Sequence, residues 1–290
     1  MKKTSILYTT IPVLAALTLS ACGQNATSLA DAGDSYSKDN PVNVKVGISG
    51  TDSPEWDYIA EIASEEGIEV EIVRFNDYVQ PNQALADGEI DANAFQTVSY
   101  FDHFIEEHNQ DLSAIGSTVL APMGLYSSKY ESVDDIPDGA EITIDQEVTN
   151  QARNLMLLQE AGLLVLDDDF GVTSGQDQIS DNPKNIQLTE IVAGNAPRIM
   201  EDVDASVINN GIAVDAKLSP TDNSIARESE TATPYINIIA AQTADADNPI
   251  LQRLVDIYQS DEVADFIVDE HAGARIPTAI SLEQLNSYPR

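Results

Sequence analysis

Val42-Asn43-Val44-Lys45-Val46-Gly47-Ile48 sets apolar against polar residues, and Ser49-Gly50-Thr51-Asp52-Ser53-Pro54 follows as a run of turn formers. Tyr58-Ile59-Ala60-Glu61-Ile62-Ala63 then spaces its apolar residues as a helix does, and Ile68-Glu69-Val70-Glu71-Ile72-Val73 alternates strictly once more. A period of two, then 3.6, then two predicts strand, helix, strand. Such a βαβ unit makes its strands parallel, and a parallel sheet receives ligands beyond the carboxyl ends of its strands. The chain is therefore expected to be α/β, with a site near the loop that leaves Ile48.

Working toward the C-terminus, Pro81 to Ala86 reads as a second helix, Gly88 to Ala94 as a short strand returning to the same edge, and Ser99 to His108 as a helix. Ala114 to Tyr126 is a long strand pattern broken by Pro122, suited to crossing between two lobes. Glu141 to Ile144 opens a new strand, Thr149-Asn150 caps a helix running through Gln159, and Ala205 to Ile208 is a further strand. Tyr235 to Ala240 is expected to return to the first lobe, and the chain to close on a helix near Leu251 to Gln259. Roughly 250 residues beyond position 40 are long for one core and suit two α/β lobes.

Toward the N-terminus, Lys2 and Lys3 precede an apolar run from Ile6 through Leu19, and Leu19-Ser20-Ala21-Cys22 ends it. This is the layout of a secretory signal, and the run is too short to span a bilayer. Cys22 after Leu-Ser-Ala matches a bacterial lipobox, which predicts a signal peptide over 1–21 and a lipidated Cys22. As the single cysteine it allows no intramolecular disulfide. Residues 22–40 are mostly small and polar and read as a tether with a reach of about 25 Å. The net charge of −35 excludes nucleic acid as a partner, because Lys and Arg are too few to neutralise phosphates.

Several blocks carry a resemblance: Phe75-Asn76-Asp77-Tyr78-Val79, Gly88-Glu89-Ile90-Asp91-Ala92-Asn93-Ala94-Phe95-Gln96, Pro122-Met123-Gly124-Leu125-Tyr126-Ser127, Thr149-Asn150 with Arg153, Val207-Ile208-Asn209, and Tyr258-Gln259-Ser260-Asp261-Glu262-Val263. In this order, over nearly the whole chain after the tether, they resemble the methionine-binding lipoprotein family, the substrate-binding proteins of ABC methionine importers. The resemblance implies an α/β, two-lobed periplasmic-binding-protein type II fold, with mixed, mostly parallel sheets and a ligand cleft between the lobes. Lobe 1 is expected over 41–122 plus 234–290 and lobe 2 over 123–233. A monomer without cofactor or metal is implied, held on the extracytoplasmic face of the cell membrane by its lipid. It would bind methionine, a similar amino acid or a short methionyl peptide, and work with an ABC permease and its ATPase.

Asn150 and Arg153 sit at a helix start, where free N–H groups and a guanidinium suit a carboxylate. The spacing alone equally allows Asn150 to be a cap and Arg153 to pair with an acid. Asn209 ends an apolar strand, where its amide could accept a ligand ammonium or simply make a turn. The resemblance assigns Asn150, Arg153 and Asn209 to the ligand and brings Asn93 to the cleft side. Tyr78, Phe95 and Tyr100 suit an apolar side chain or a thioether, with Phe95 the most core-like of the three. Thr97 stands where the family has histidine. Ile212 replaces a tyrosine, Ala121 precedes Pro122, and Asp145 to Val148 depart from a family Pro-Asn-Asp-Pro run. His103 and His108 lack a third metal ligand, and Asp167-Asp168-Asp169 lacks calcium-loop spacing. No Gly-x-Ser-x-Gly elbow or nucleotide glycine loop is present, so a binder rather than an enzyme is expected.

Overall fold

The structure is a computed structural model that describes residues 27–29, 36–51, 53–229 and 233–288. The signal segment and Cys22 lie outside the described residues. Thr27–Ser28 (β1) fall inside the stretch read as tether, yet they pair in parallel with Val42 and Asn43, and Leu29 is buried in the core. Part of that stretch is therefore docked on the body.

Val42–Ser49 (β2), Pro54–Ser64 (α1) and Ile68–Phe75 (β3) form the expected βαβ unit, with β2 and β3 parallel in unbroken register from Val42↔Ile68 to Ser49↔Phe75. Val42, Val44, Val46 and Ile48 are all buried, which is what the alternation of β2 is for. The chain continues through Gln80–Ala86 (α2), Ala92–Asn93 (β4), Val98–His108 (α3) and Leu112–Leu120 (β5). Gly88 to Asp91 make a turn, so only two residues of the predicted strand pair. They sit inside the sheet, between β2 and the late strand Ile236–Gln242, and not at its edge.

After Ala121-Pro122-Met123 the chain enters a second sheet with Gly124–Tyr126 (β6), Glu141–Asp145 (β7) and the helix Val148–Glu160 (α4). Val165–Leu166 (β8) pairs with Ile179–Asp181 (β9) as a separate two-stranded ribbon. Gln187–Ile191 (β10), Ala196–Ile199 (α5), Ala205–Ile208 (β11), Asn210–Asp215 (α6) and Ala226–Arg227 (β12) complete this half, in sheet order β10-β7-β11-β6-β12. Ile236–Gln242 (β13) returns to the first sheet, antiparallel to β5. The chain does not close on the helix Pro249–Tyr258 (α7). It continues through Asp261–Glu270 (α8), Ile276–Pro277 (β14) and Leu282–Leu285 (α9).

Each sheet has its own core. Trp56, Ile59, Leu251, Leu254, Val263 and Ile267 cover one face of the first, while Leu125, Ile142, Ile144, Leu155 and Leu158 belong to the second. Two sheets with separate cores, joined through Ala121-Pro122-Met123 and a later return strand, make a two-lobed α/β fold.

Candidate functional site

The carboxyl ends of β2 and β11 and the first turns of α4 converge on a cavity of about 980 Å³, its open mouth included. Seven of the eight expected ligand residues line it: Tyr78, Phe95, Thr97, Tyr100, Asn150, Arg153 and Asn209. Asn93 does not. It is fully buried, and its amide donates to Asn82 Oδ1 at 2.8 Å and to Pro81 O at 3.3 Å while accepting from Gln96 Nε2 at 2.9 Å. Asn82 and Gln96 exchange two further bonds of 2.7 Å. This closed amide network sits behind the segment carrying Phe95 and Thr97 and fixes it, because buried amides are costly to leave unpaired.

The aromatic wall is a three-ring cluster. Tyr78 stacks on Phe95 with centroids 5.9 Å apart, and Tyr100 meets each ring edge-on at 6.2 Å. The Tyr100 hydroxyl donates to Tyr78 O at 2.9 Å. Tyr100, only 7 % exposed, is the most core-like of the three, whereas Phe95 is half-buried against the cavity. Thr97 caps α3 by accepting from Tyr100 N at 3.3 Å, so it serves the helix start as well as the cleft. Burial pushes the Tyr78 hydroxyl upward, and a hydrogen bond with Asn209 from the other lobe partly offsets this.

On the second lobe, the start of α4 is already occupied. Glu147 caps it, its carboxylate accepting from Thr149 N at 3.1 Å, Asn150 N at 2.8 Å and Thr149 Oγ1 at 2.8 Å. The free N–H groups expected to attract a ligand carboxylate are therefore taken by an internal one.

Arg153 is equally committed. Its Nε donates to Glu228 Oε1 at 2.8 Å and its Nη2 to Glu228 Oε2 at 2.6 Å and Ala121 O at 3.0 Å. The guanidinium also lies 4.6 Å from the Tyr235 ring centroid. Arg153 pairs with an acid, as one of the open alternatives had it, but with a buried one: Glu228 is 7 % exposed. Only Nη1 has no hydrogen bond among the described residues. Asn209 makes no cap bond to α6, and its amide instead reaches across the cleft to the Tyr78 hydroxyl.

Farther along the first lobe's wall, Glu55 binds Arg275 and, at 3.2 Å, His271. Burial pushes the Glu55 carboxyl up, but Arg275 and His271 more than reverse that, holding it down to about 2. At the mouth, Asp215 Oδ2 accepts from Thr51 N at 3.3 Å and Asp215 Oδ1 from Thr51 Oγ1 at 3.1 Å, joining the lobes.

A family model for the NlpA lipoproteins matches residues 44–279. The chain belongs to the NlpA lipoprotein family. It is similar to the D-methionine-binding lipoprotein MetQ of Salmonella typhimurium, 37 % identical over 250 residues that span 85 % of this chain and 92 % of that protein. Among solved structures it resembles the protein PG110 of Staphylococcus aureus, with a TM-score of 0.81 at 38 % identity, covering 84 % of this chain and 97 % of that one. It also resembles a nutrient-binding protein of Burkholderia cenocepacia bound to methionine, with a TM-score of 0.78 at 39 % identity, covering 81 % and 99 %.

Within this NlpA-family cleft, Glu228, Tyr235, Glu55, Arg275 and Asp215 all escaped sequence reading. Glu228 lies 75 positions from Arg153. Nothing local marks one glutamate among so many acids as the partner. Of the positions that depart from the family pattern, Ile212 lines the cavity, Ala121 offers its carbonyl to Arg153, and Asp145 is buried at the end of β7.

Proposed function

We propose that this NlpA-family protein is the extracytoplasmic solute-binding subunit of an ABC importer, capturing methionine, a related amino acid or a short methionyl peptide by lobe closure. The observation that carries the reading is the interlobe cavity itself. Arg153, Asn150 and Asn209 approach it from one lobe, and the Tyr78-Phe95-Tyr100 wall from the other. Closure needs no chemistry. A ligand that touches both lobes stabilises the closed form by its differential affinity, and a permease with its ATPase would read that form. The names of the MetQ relatives and of the methionine-bound Burkholderia protein support the ligand class.

In this reading lobe 1 comprises 41–122 plus 234–290 and lobe 2 comprises 123–233. Acyl chains on Cys22 hold the protein at the outer face of the cell membrane as a monomer. Arg153 Nη1 meets a carboxyl oxygen of the ligand, Asn209 meets its ammonium, and the aromatic wall meets its side chain. Isothermal calorimetry with free methionine, a panel of other amino acids and methionyl dipeptides tests the proposal. Saturable one-to-one binding of methionine or a methionyl peptide is expected, and a panel in which nothing binds would remove the proposed substrate class.

A further inference from the structure

His271-Ala272-Gly273-Ala274-Arg275 turns the chain from α8 into β14 on the first lobe, and two of its backbone carbonyls meet the second. Gly273 O accepts from Arg227 Nη2 at 3.1 Å and Ala274 O from Asn210 Nδ2 at 2.8 Å, donors that belong to β12 and to the start of α6. Asn210 also donates to Pro122 O at 3.1 Å, and β14 pairs Ile276 with Leu120 just before that crossover. The turn therefore adds a non-covalent link between the lobes beside the covalent one, at the place about which they would pivot.

The turn is strained. Ala272 has φ +47 and Gly273 φ +76, two consecutive left-handed residues. Glycine adopts that backbone freely, but at Ala272 it crowds Cβ against the following carbonyl. Ala272 is exposed, so little packing holds it there. The turn is bracketed instead by Glu55, 4 % exposed in the first turn of α1. One carboxylate oxygen takes Arg275 Nη1 and the other His271 Nε2 at 3.2 Å, so the first and last residues of the turn are drawn to a single group. Glu55 is ionised at neutral pH and an ionised carboxylate only accepts, so His271 Nε2 is the donor.

We propose that Glu55 is a positioning residue for lobe closure: by clasping His271 and Arg275 it holds the strained turn between them, and so keeps Gly273 O and Ala274 O where Arg227 and Asn210 of the second lobe pivot on them. Glu55 and Arg275 line the cavity, but their part is to hold the hinge and not the ligand. A loosened pivot spreads the open form over more arrangements, which lowers the population ready to close and weakens ligand binding in proportion. This rests on the proposed closure of the lobes and goes beyond it by naming what sets their pivot.

Ala272 lies outside the cavity lining, so substitutions there reach the turn without touching the ligand site. Ala272→Val puts a β-branched residue at positive φ and should weaken methionine binding about fivefold in calorimetry. Glu55→Gln should weaken it about tenfold. Adding Ala272→Gly, which relieves the strain, should bring Glu55→Gln back to within about threefold of the parent, whereas Ala272→Gly alone should stay within about twofold. Hydrogen exchange of the ligand-free protein, read by mass spectrometry, should be severalfold faster over 271–278 and over 210–216 in Ala272→Val and in Glu55→Gln. Exchange in β2 and β7 should be unchanged, a pattern that a general loss of folding would not give.

Faster exchange in the turn of Ala272→Val with unchanged methionine affinity overturns the inference and leaves the binding role standing. A Glu55→Gln defect that Ala272→Gly does not relieve also overturns it, because Glu55 would then act on the ligand or the fold directly. Unchanged exchange over 271–278 in Glu55→Gln shows that Glu55 does not hold the turn. If methionine does not bind the parent protein, the binding role falls, and the exchange pattern across the two lobes still upholds or overturns the clasp.

Discussion

Glu55 and Asp145 are buried carboxyls held in opposite states. Arg275 and His271 keep Glu55 ionised down to about pH 2, whereas burial lifts the Asp145 carboxyl to about 7, with the Glu147 charge adding to it. A lowered pKa contributes stability that is complete above the unfolded value and is lost as the pH falls through the folded one. For Glu55 that loss runs from about pH 4.5 to about 2 and amounts to about 3 kcal/mol. A raised carboxyl pKa acts the other way. Asp145 costs nothing below about pH 4 and destabilises progressively as the pH rises to about 7, by about 4 kcal/mol once ionised. Asp145→Asn should therefore raise the midpoint of urea unfolding at pH 8 and leave it nearly unchanged at pH 4. Equal gains at both values would show that Asp145 is not held protonated by its burial.

At the scale of elements, α4 illustrates how a cap can decide chemistry. Glu147 occupies the helix start with three bonds, so Glu147→Ala should cost about 1 kcal/mol of stability, within the usual range for a lost cap. It should also uncover Thr149 N and Asn150 N beside the cleft, shifting ligand preference from methionine amide toward methionine itself by severalfold in calorimetry. An unshifted preference would mean that the helix start does not reach the ligand. The identity of α4 was legible because it carries a full apolar stripe, Ala152, Leu155 and Leu158. The β2-α1-β3 unit was legible for the same reason, a strong period held over enough residues. Strand β10 was not, because it lies at the sheet edge with no fully buried residue and so shows no alternation. Helix α8 buries only Val263 and Ile267, too few for a period to stand out. Asn93 was misplaced because a polar residue in a strand beside a cleft gives no hint of whether it faces ligand or completes a network beneath.

For the whole molecule, the legible part of the site was the set of side chains whose chemical type alone suggests a ligand: an arginine, two amides, a threonine and three aromatics. The illegible part was how the lobes neutralise and hold one another, since those pairs join positions far apart in the chain. Thr51 and Asp215 are such a pair. Gly50, with φ +105, permits it: a Cβ there would lie 2.9 Å from Asp215 Oδ2. Two exposed hydrogen bonds contribute about 1 kcal/mol between them, roughly fivefold in affinity if they form only on closure. Elsewhere Asn210 Nδ2 donates to both Pro122 O at 3.1 Å and Ala274 O at 2.8 Å, binding the second lobe close to the crossover. The crossover contact can persist as the cleft opens, because Pro122 belongs to the connection itself, whereas the Thr51–Asp215 contact at the mouth must break. Asp215→Ala should then leave the unfolding midpoint within error of the parent, weaken ligand binding two- to tenfold, and do so through faster dissociation, since the lost contact acts after the ligand has entered. Stopped-flow measurement of both rate constants checks this; a slower association with unchanged dissociation would place Asp215 in steering the ligand rather than in holding the lobes together.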